Sequence, residues 1–434
     1  MTIGIGLLGL GTVGAGVAEI LSTPEGRHPL VRDLELRRVA VRDPARLRPI
    51  ALAAELFCTD PMEVVLDPAV DIVVEVIGGL EPARSLILAA IAAGKSVVTA
   101  NKAVIARHGE EIAAAAAARG VYVLIEAAVG GGIPIIEPLK QSLGGNRLVR
   151  VSGIVNGTTN YILSRMAEEG AAYGAVLADA QALGYAEADP AADVEGGDAA
   201  DKIAILAGLA FGGGVERAAI ATEGISSLES RDVDYAAQLG FCVKLLAVAE
   251  SLGTDAEGTQ QLDVRVHPTL IPKAHPLAGV HGVNNAILVE GDPIGRVMFY
   301  GPGAGAGPTA SAVVADILNI AGIRQVGGPG AGLDPLLAAG PWRRCRLVDG
   351  ALSRHRNYLR LQTSDQAGVI GAIGCCFGAE DVSIQSIVQL ETSAGHAEIV
   401  VITHAVPEAR FRAALAKISA LAEVKRVAAC LRAL

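Results

Sequence analysis

The chain opens on an apolar run, residues 2–8, whose continuous hydrophobicity predicts a strand buried on both faces. A glycine-rich turn follows, and residues 15–21 then carry a helical pattern. The alternation continues. Strands are predicted at 34–41, 71–76, 96–99 and 121–127, with helices at 82–93 and 104–119 between them. Strands alternating with helices predict a doubly wound parallel sheet. From residue 134 the pattern changes. Helical spacing over 135–143, 161–169 and 174–183 and strands over 147–155, 264–272, 285–290 and 296–300 predict an inserted α+β domain. A second glycine-rich turn at 301–307 and a helix at 309–320 would return the chain to the first sheet. The segment 331–354 is rich in Gly, Pro, Ala and Arg and reads as a linker. Beyond it, residues 358–363, 369–378, 384–391, 397–404, 408–421 and 424–429 follow the βαββαβ order of a ferredoxin-like domain.

The first turn spells Gly9, Leu10, Gly11, Thr12, Val13 and Gly14, a G-x-G-x-x-G motif between a strand and a helix. Gly9 permits the tight turn, Gly11 lets backbone approach a pyrophosphate, and Gly14 lets helix and strand pack closely. The helix start then offers free N–H groups to an anion. The bland alternative is a glycine-rich turn that binds nothing. An acidic residue after the second strand would hold a ribose 2′-hydroxyl. Here Arg42 comes first, with Asp43 behind it. Arginine suits a 2′-phosphate, so NADP is expected, with NAD as the alternative.

Lys102 follows the strand at 96–99 and so sits at the carboxyl edge of the sheet, where open α/β folds bind ligands. The helix dipole disfavours a lysine at a helix start, which favours a functional role over a merely solvated one. Glu126 and the glycines at 130–132 close the unit. Their carbonyls with the carboxylate are expected to hold a hard cation, to form a flexible domain hinge, or both. Asn156 and Thr158 are expected to cap the next helix and offer polar contacts to a small ligand. The organisation expected is a dinucleotide-binding domain over 1–133 plus 301–330, a substrate and dimerisation domain over 134–300, the linker, and a regulatory domain over 355–434.

At 434 residues two or three domains are expected, and a net charge of −10 argues against nucleic acid as a partner. The six cysteines show no metal-ligand spacing and read as reduced thiols of a cytoplasmic protein. No signal peptide is visible, and the apolar run 203–215 is too short to span a bilayer, so no membrane role is expected.

Residues 184–202 concentrate charge in front of an apolar run. Glu187, Asp189, Asp193, Glu195, Asp198, Asp201 and Lys202 fall within them, and 203–211 is almost wholly apolar. Buried charge is costly unless it is paired or used. Asp198 and Lys202 share one helical face. Alone they read as an exposed ion pair; with Lys102 and a nucleotide fold upstream they read as a site.

These motifs resemble homoserine dehydrogenases of the monofunctional type. The resemblance rests on 9–14, 99–102, 126–134, 156–161, 184–202, 268–272 and 300–305, and spans nearly the whole chain. It implies NAD(P)H-dependent reduction of L-aspartate 4-semialdehyde to L-homoserine, in threonine and methionine biosynthesis. It implies that Lys202 is the proton donor, that Lys102 sits beside substrate and cofactor, and that Glu187 and Asp198 bind the substrate amine with Asp193 supporting them. Glu126 with the carbonyls of Val129, Gly131 and Ile133 would bind a monovalent cation, sodium in the family, and Gly303 would contact the cofactor. The C-terminal unit resembles an ACT domain, with Ala367 where that family's turn usually has proline. It implies threonine as an inhibitor, against a purely oligomerising role, and the whole implies a homodimer or homotetramer. The competing readings are an amino-acid dehydrogenase acting at an amine carbon and a non-catalytic nucleotide and amino-acid sensor. A phosphorylating semialdehyde dehydrogenase lacks its nucleophilic cysteine, and a fused kinase has no room.

Overall fold

The computed structural model describes residues 2–327, 332–338, 340–393 and 395–434. Six parallel strands make the first sheet, in the order Phe57–Cys58, Leu34–Ala40, Ile3–Leu8, Ile72–Glu75, Ser96–Thr99 and Val123–Leu124. The order reverses between Ile3–Leu8 and Ile72–Glu75, so the crevice for a dinucleotide opens at their carboxyl ends. Both central strands are buried along their whole length, as continuous apolar runs require. The helix Ala306–Gly327 joins the same core. A Cβ on Gly16 would press on the Ala306 carbonyl and the Ala310 side chain, so this glycine lets Ala306–Gly327 seat on Thr12–Ser22. Ala306–Gly327 is long and apolar enough to cross a bilayer by composition, yet half of its apolar window is buried, as in a core helix.

The expected strand at 121–127 is cut short. It pairs only over Val123–Leu124 and turns into a 3-10 segment, Glu126–Ala128. The cause is local: the Glu126 N–H donates to Asp316 at 2.8 Å instead of to a neighbouring strand.

The second sheet runs Gly295–Pro302, Asn284–Asp292, Arg147–Ile154, Phe241–Thr254, Gln260–Pro272, Val424–Ala433, Arg354–Ser364, His396–Thr403 and Ile384–Ser393. Phe241–Thr254 has no counterpart among the expected elements. Leu and Ala, which favour helix, recur along it, and antiparallel pairing along nearly all of Gln260–Pro272 overrides them. The long helix Gly197–Phe211 packs on these two strands within one core.

The C-terminal unit is not a separate bead. Its last strand pairs in parallel with Gln260–Pro272, Thr269 opposite Arg432 and Leu270 opposite Ala433. Residues 331 and 339 of the expected linker lie outside the described residues, but Cys345–Leu347 adds a short strand beside Gln260–Leu262. Trp342 and Arg343 donate their N–H groups to the Gly212 carbonyl, at 2.8 Å each, just past the end of Gly197–Phe211.

One buried ionic cluster locks the two units. Arg360, with no exposed surface, donates to Asp232 at 2.7 Å, to Glu398 at 3.0 Å and to Glu229 at 2.7 Å. Tyr235 donates to Glu398 at 2.7 Å. Asp232 and Glu229 belong to the inserted domain, at the start of the helix Ser230–Gln238, and Arg360 and Glu398 to the C-terminal unit. Replacing Arg360 with Met should take the guanidinium from the fully buried Asp232 carboxylate and cost about 3–5 kcal/mol of stability. Urea denaturation of the purified chain, followed by fluorescence and circular dichroism, checks this.

Candidate active site

The crevice is shaped first by backbone. Gly9 sits at φ +103 and its N–H donates to the Ala40 carbonyl at 3.0 Å, closing the turn. A Cβ on Gly14 would collide with the Gly9 carbonyl, whereas Gly11 faces open space. Gly11 also caps Thr12–Ser22 without a side chain, which leaves the first-turn N–H groups unengaged by any cap. An open glycine at an uncapped helix start is what a pyrophosphate needs. Leu10, Thr12 and Val13 complete this turn. Arg42 is exposed at the end of the second strand. Asp43 is already used, its carboxylate accepting from the Ala45 N–H at 2.9 Å.

On the far side of the crevice, Glu75 organises the approach to Lys102. It is fully buried, accepts from the Ile77 and Gly78 N–H groups at 2.9 and 3.3 Å, and accepts from Thr99 Oγ1 at 2.6 Å. Thr99 in turn accepts from the Asn101 N–H, and Asn101 Nδ2 reaches the Gly79 carbonyl at 2.7 Å. Asn101 Oδ1 caps the helix Lys102–Arg119. Lys102 is thus aimed by a network in which Glu75, which the sequence reading passed over, is central. An acid ending an otherwise apolar strand was the available signal.

The helix Gly197–Phe211 supplies the other half. Asp198 is buried and bridges two lysines: Oδ1 to Lys102 Nζ at 2.8 Å, Oδ2 to Lys202 Nζ at 2.7 Å. Lys202 also donates to the Val155 carbonyl at 2.6 Å. Its side chain is 11% exposed, whereas that of Lys102 is 41% exposed. Burial alone would raise the Asp198 carboxyl, but Lys202 and Lys102 outweigh it and hold it well below the usual carboxylate range. Its pairing therefore stabilises the fold above about pH 4 and is lost only as pH falls beneath that range. Burial pulls Lys102 down, and Asp198 more than compensates, leaving it raised.

Around this triad, Asn156 Nδ2 donates to Asp198 at 3.0 Å and to Asp193 at 2.8 Å. Thr158 Oγ1 lies 2.7 Å from the Tyr185 carbonyl and 3.1 Å from Asp193, and one proton serves one of them at a time. Asn156 caps Gly157–Glu169, as expected. One turn along, Asp201 binds Arg107 at 3.0 Å and Arg217 at 2.6 Å, a second tie between the helices. Glu187 is not brought in. It is exposed, its carboxylate makes no hydrogen bond or ion pair among the described residues, and its carbonyl accepts from Gln181.

Glu126 is 3% exposed and its carboxylate accepts three backbone N–H groups, from Ile135, Ile136 and Glu137, at 2.6–2.9 Å. Burial raises its carboxyl and these donors oppose the rise. Among the described residues the carbonyls of Val129, Gly131 and Ile133 accept no hydrogen bond. Gly131 is held at φ +56, and a Cβ there would strike Gly303. Gly303 itself abuts Asn285 so closely that a Cβ would collide with its amide. The two glycine loops therefore meet backbone to backbone beside the crevice.

Known proteins decide the family. The family model described as homoserine dehydrogenase matches residues 134–318, and that described as its NAD binding domain matches 9–126. A homoserine dehydrogenase of Synechocystis is 57% identical over 436 residues, with all of both chains covered. The chain belongs to the homoserine dehydrogenase family. The ACT domain model matches 357–423. The solved homoserine dehydrogenase of Thiobacillus denitrificans superposes with a TM-score of 0.90 at 43% identity, covering 100% of this chain and 98% of that one. A hyperthermophilic archaeal homoserine dehydrogenase solved in complex with NADPH superposes with a TM-score of 0.60 at 29% identity, covering 74% of this chain and 98% of that one. The reaction is that of a homoserine dehydrogenase, an NAD(P)-dependent oxidoreductase, and neither competing reading is favoured.

Asp198→Asn should lower the titration of Lys102, because burial then acts without the carboxylate that opposes it. Titration of ¹³C-methylated lysines by NMR checks the direction; an unmoved Lys102 resonance would contradict the bridge.

Proposed function

We propose that this homoserine dehydrogenase reduces L-aspartate 4-semialdehyde with NADPH, and that the Lys102–Asp198–Lys202 bridge is its reacting centre. The observation that carries the reading is one buried carboxylate holding two ammonium groups from two helices at the mouth of the nucleotide crevice. The cofactor supplies the hydride when bound. Lys202 protonates the alkoxide that develops on the aldehyde oxygen. Two of its three N–H groups are committed, to Val155 and Asp198, so the third has one direction left. Lys102, more open to the crevice, orients substrate beside the nicotinamide. Asp198 receives the substrate amine in this scheme, exchanging part of its lysine contact for it, while Asp193 and Thr158 hold Asn156 and the loop around it. Glu187 closes on the substrate from its exposed loop.

NADP preference rests on Arg42, exposed at the second strand with Asp43 turned to a local cap. The NADPH complex of the archaeal relative agrees with it. Glu126 and the carbonyls of Val129, Gly131 and Ile133 are hard oxygen donors, three of them without competing hydrogen bonds, and fit a sodium-like cation. Bound there, the cation would fix the loop that meets Gly303. Threonine acts as inhibitor through the C-terminal unit, the chain assembles as a dimer or tetramer, and the enzyme works in the cytoplasm.

Homoserine oxidation assayed with NADP and with NAD, each with and without threonine, tests the reading: faster turnover with NADP and slowing by threonine are expected, and no oxidation with either cofactor rejects it. Lys202→Ala should lose roughly 10²–10⁴-fold in kcat while NADPH binding, followed by fluorescence, stays intact. Arg42→Ala should raise KM for NADP more than for NAD, and equal changes for both would reject its role.

A further inference from the structure

Lys244 is a buried basic side chain outside the reacting centre. It lies on the strand Phe241–Thr254, opposite Thr269, and is 3% exposed. Among the described residues its contacts are a side-chain amide and a carbonyl, with no carboxylate paired to it. Burial pulls its ammonium down, and Cys242 and Glu168 oppose the fall only in part. A polar end buried in this way is costly unless it is used.

Two acceptors take it up. Lys244 Nζ donates to Asn160 Oδ1 at 3.0 Å and to the Val280 carbonyl at 2.5 Å. As amine or as ammonium it has both N–H groups to give. With Oδ1 engaged by the lysine, Asn160 Nδ2 shares its two N–H groups among the carbonyls of Val280, Gly282 and Asn284, at 3.3, 2.9 and 3.1 Å. An amide turned end for end would set donor against donor, so Lys244 decides which way Asn160 points.

The loop 280–284 is thereby laid along one face of the helix Gly157–Glu169. A Cβ on Gly157 would strike the Val283 carbonyl. Asn160 holds the three carbonyls, the Gly282 N–H donates to Ser164 Oγ at 3.2 Å, and His281 lies 3.6 Å from Glu168. Positions 157, 160, 164 and 168 are three or four apart and share that face. Gly157 directly follows Asn156, and the Asn160 N–H donates to the Asn156 carbonyl at 3.3 Å. Asn156 is the residue whose amide holds Asp193 and Asp198, and Val155 before it accepts from Lys202. From Asn284 onward the chain is held by pairing with Gly295–Pro302. Loosening the loop therefore falls on 280–283 and the helix start, not on the glycine turn at 301–307.

We propose that Lys244 and Asn160 are a positioning pair for the reacting centre: by fixing the loop 280–284 along Gly157–Glu169 they set the start of that helix, and through Asn156 the placement of Asp193 and Asp198. The pair rests on the reading above in which these two carboxylates receive and support the substrate amine.

The test uses the full chain, with homoserine oxidation by NADP, NADPH binding by fluorescence and folding by circular dichroism. Folded Lys244→Met protein should lose roughly tenfold or more in kcat/KM for homoserine while its Kd for NADPH stays within about twofold. Asn160→Ala should behave alike, and the double variant should lose no more than the worse single variant, because the two side chains act as one unit. The proposal is overturned if Lys244→Met keeps the parental kcat/KM, if NADPH binding weakens by the same factor as kcat/KM, or if the two losses multiply. Should Lys244→Met fail to fold, Ser164→Ala replaces it, since it frees only the Gly282 N–H. A loss of about threefold in kcat/KM is then expected, and an unchanged value overturns the proposal. Lys202→Ala is assayed alongside: turnover lost there but kept in Lys244→Met sinks the positioning pair alone, and turnover kept in both sinks the reacting centre as well.

Discussion

Asp198 is the carboxylate on which the site depends. It is the meeting point of a lysine from the nucleotide sheet's helix and a lysine from its own helix. Removing one partner from a buried charge group leaves an uncompensated charge, so such groups fix geometry more than they add net stability. Asp201 repeats the arrangement one turn on, holding Arg107 of the first helix and Arg217 beyond its own. Two carboxylates on Gly197–Phe211 therefore dock Lys102–Arg119 at two points. The placement of the nucleotide crevice against Gly197–Phe211 is held by the two of these contacts, Lys102–Asp198 and Arg107–Asp201, that cross between the helices.

The same logic appears at the other end of the catalytic half, where Arg360 is the single buried cation among carboxylates from both units. There the polarity is reversed: one cation gathers anions, instead of one anion gathering cations. Together with the parallel pairing at Thr269 and Leu270, it makes the C-terminal unit continuous with the catalytic sheet. A ligand bound near the seam has a short mechanical path to the site, because strand, linker and catalytic helix share their packing. A unit hung on a loose tether would have no such path.

Where hydrophobic period and turn chemistry agreed, the sequence was legible. The alternation from Ile3–Leu8 to Ser96–Thr99, the G-x-G-x-x-G turn and the helix Val369–Gly378 follow local rules that the tertiary fold does not override. Phe241–Thr254 was not legible, since helix-favouring Leu and Ala mix with strand-favouring residues along it and its partner strands decide that it is extended. In the site, the charge-dense stretch 184–202 announced Asp198 and Lys202, because carboxylates before an apolar run have to be paired. It did not separate Glu187, left on an exposed loop, from Asp193, drawn in by Asn156 and Thr158. Glu75 and Arg360 stayed hidden for a different reason. Arg360 is one of three arginines in its strand and its carboxylates lie far away in sequence, whereas Glu75 shows its role only through Thr99 on the neighbouring strand.

The proposed division of labour between the lysines rests on how each is held. Lys102 has one fixed acceptor and a side chain 41% exposed, so it stands open to solvent. A proton donor of that kind exchanges with water and is poorly directed. Lys202 is held at two points, by a carbonyl and a carboxylate, with 11% of its side chain exposed. Its remaining N–H is oriented before substrate arrives, which is the preorganisation that a developing alkoxide rewards most. Asp198 then serves both lysines in different ways: it restrains Lys202, and it offsets the burial of Lys102. A substrate ammonium that displaces one lysine contact would keep the carboxylate paired throughout, so the buried charge is never left exposed to the low dielectric around it.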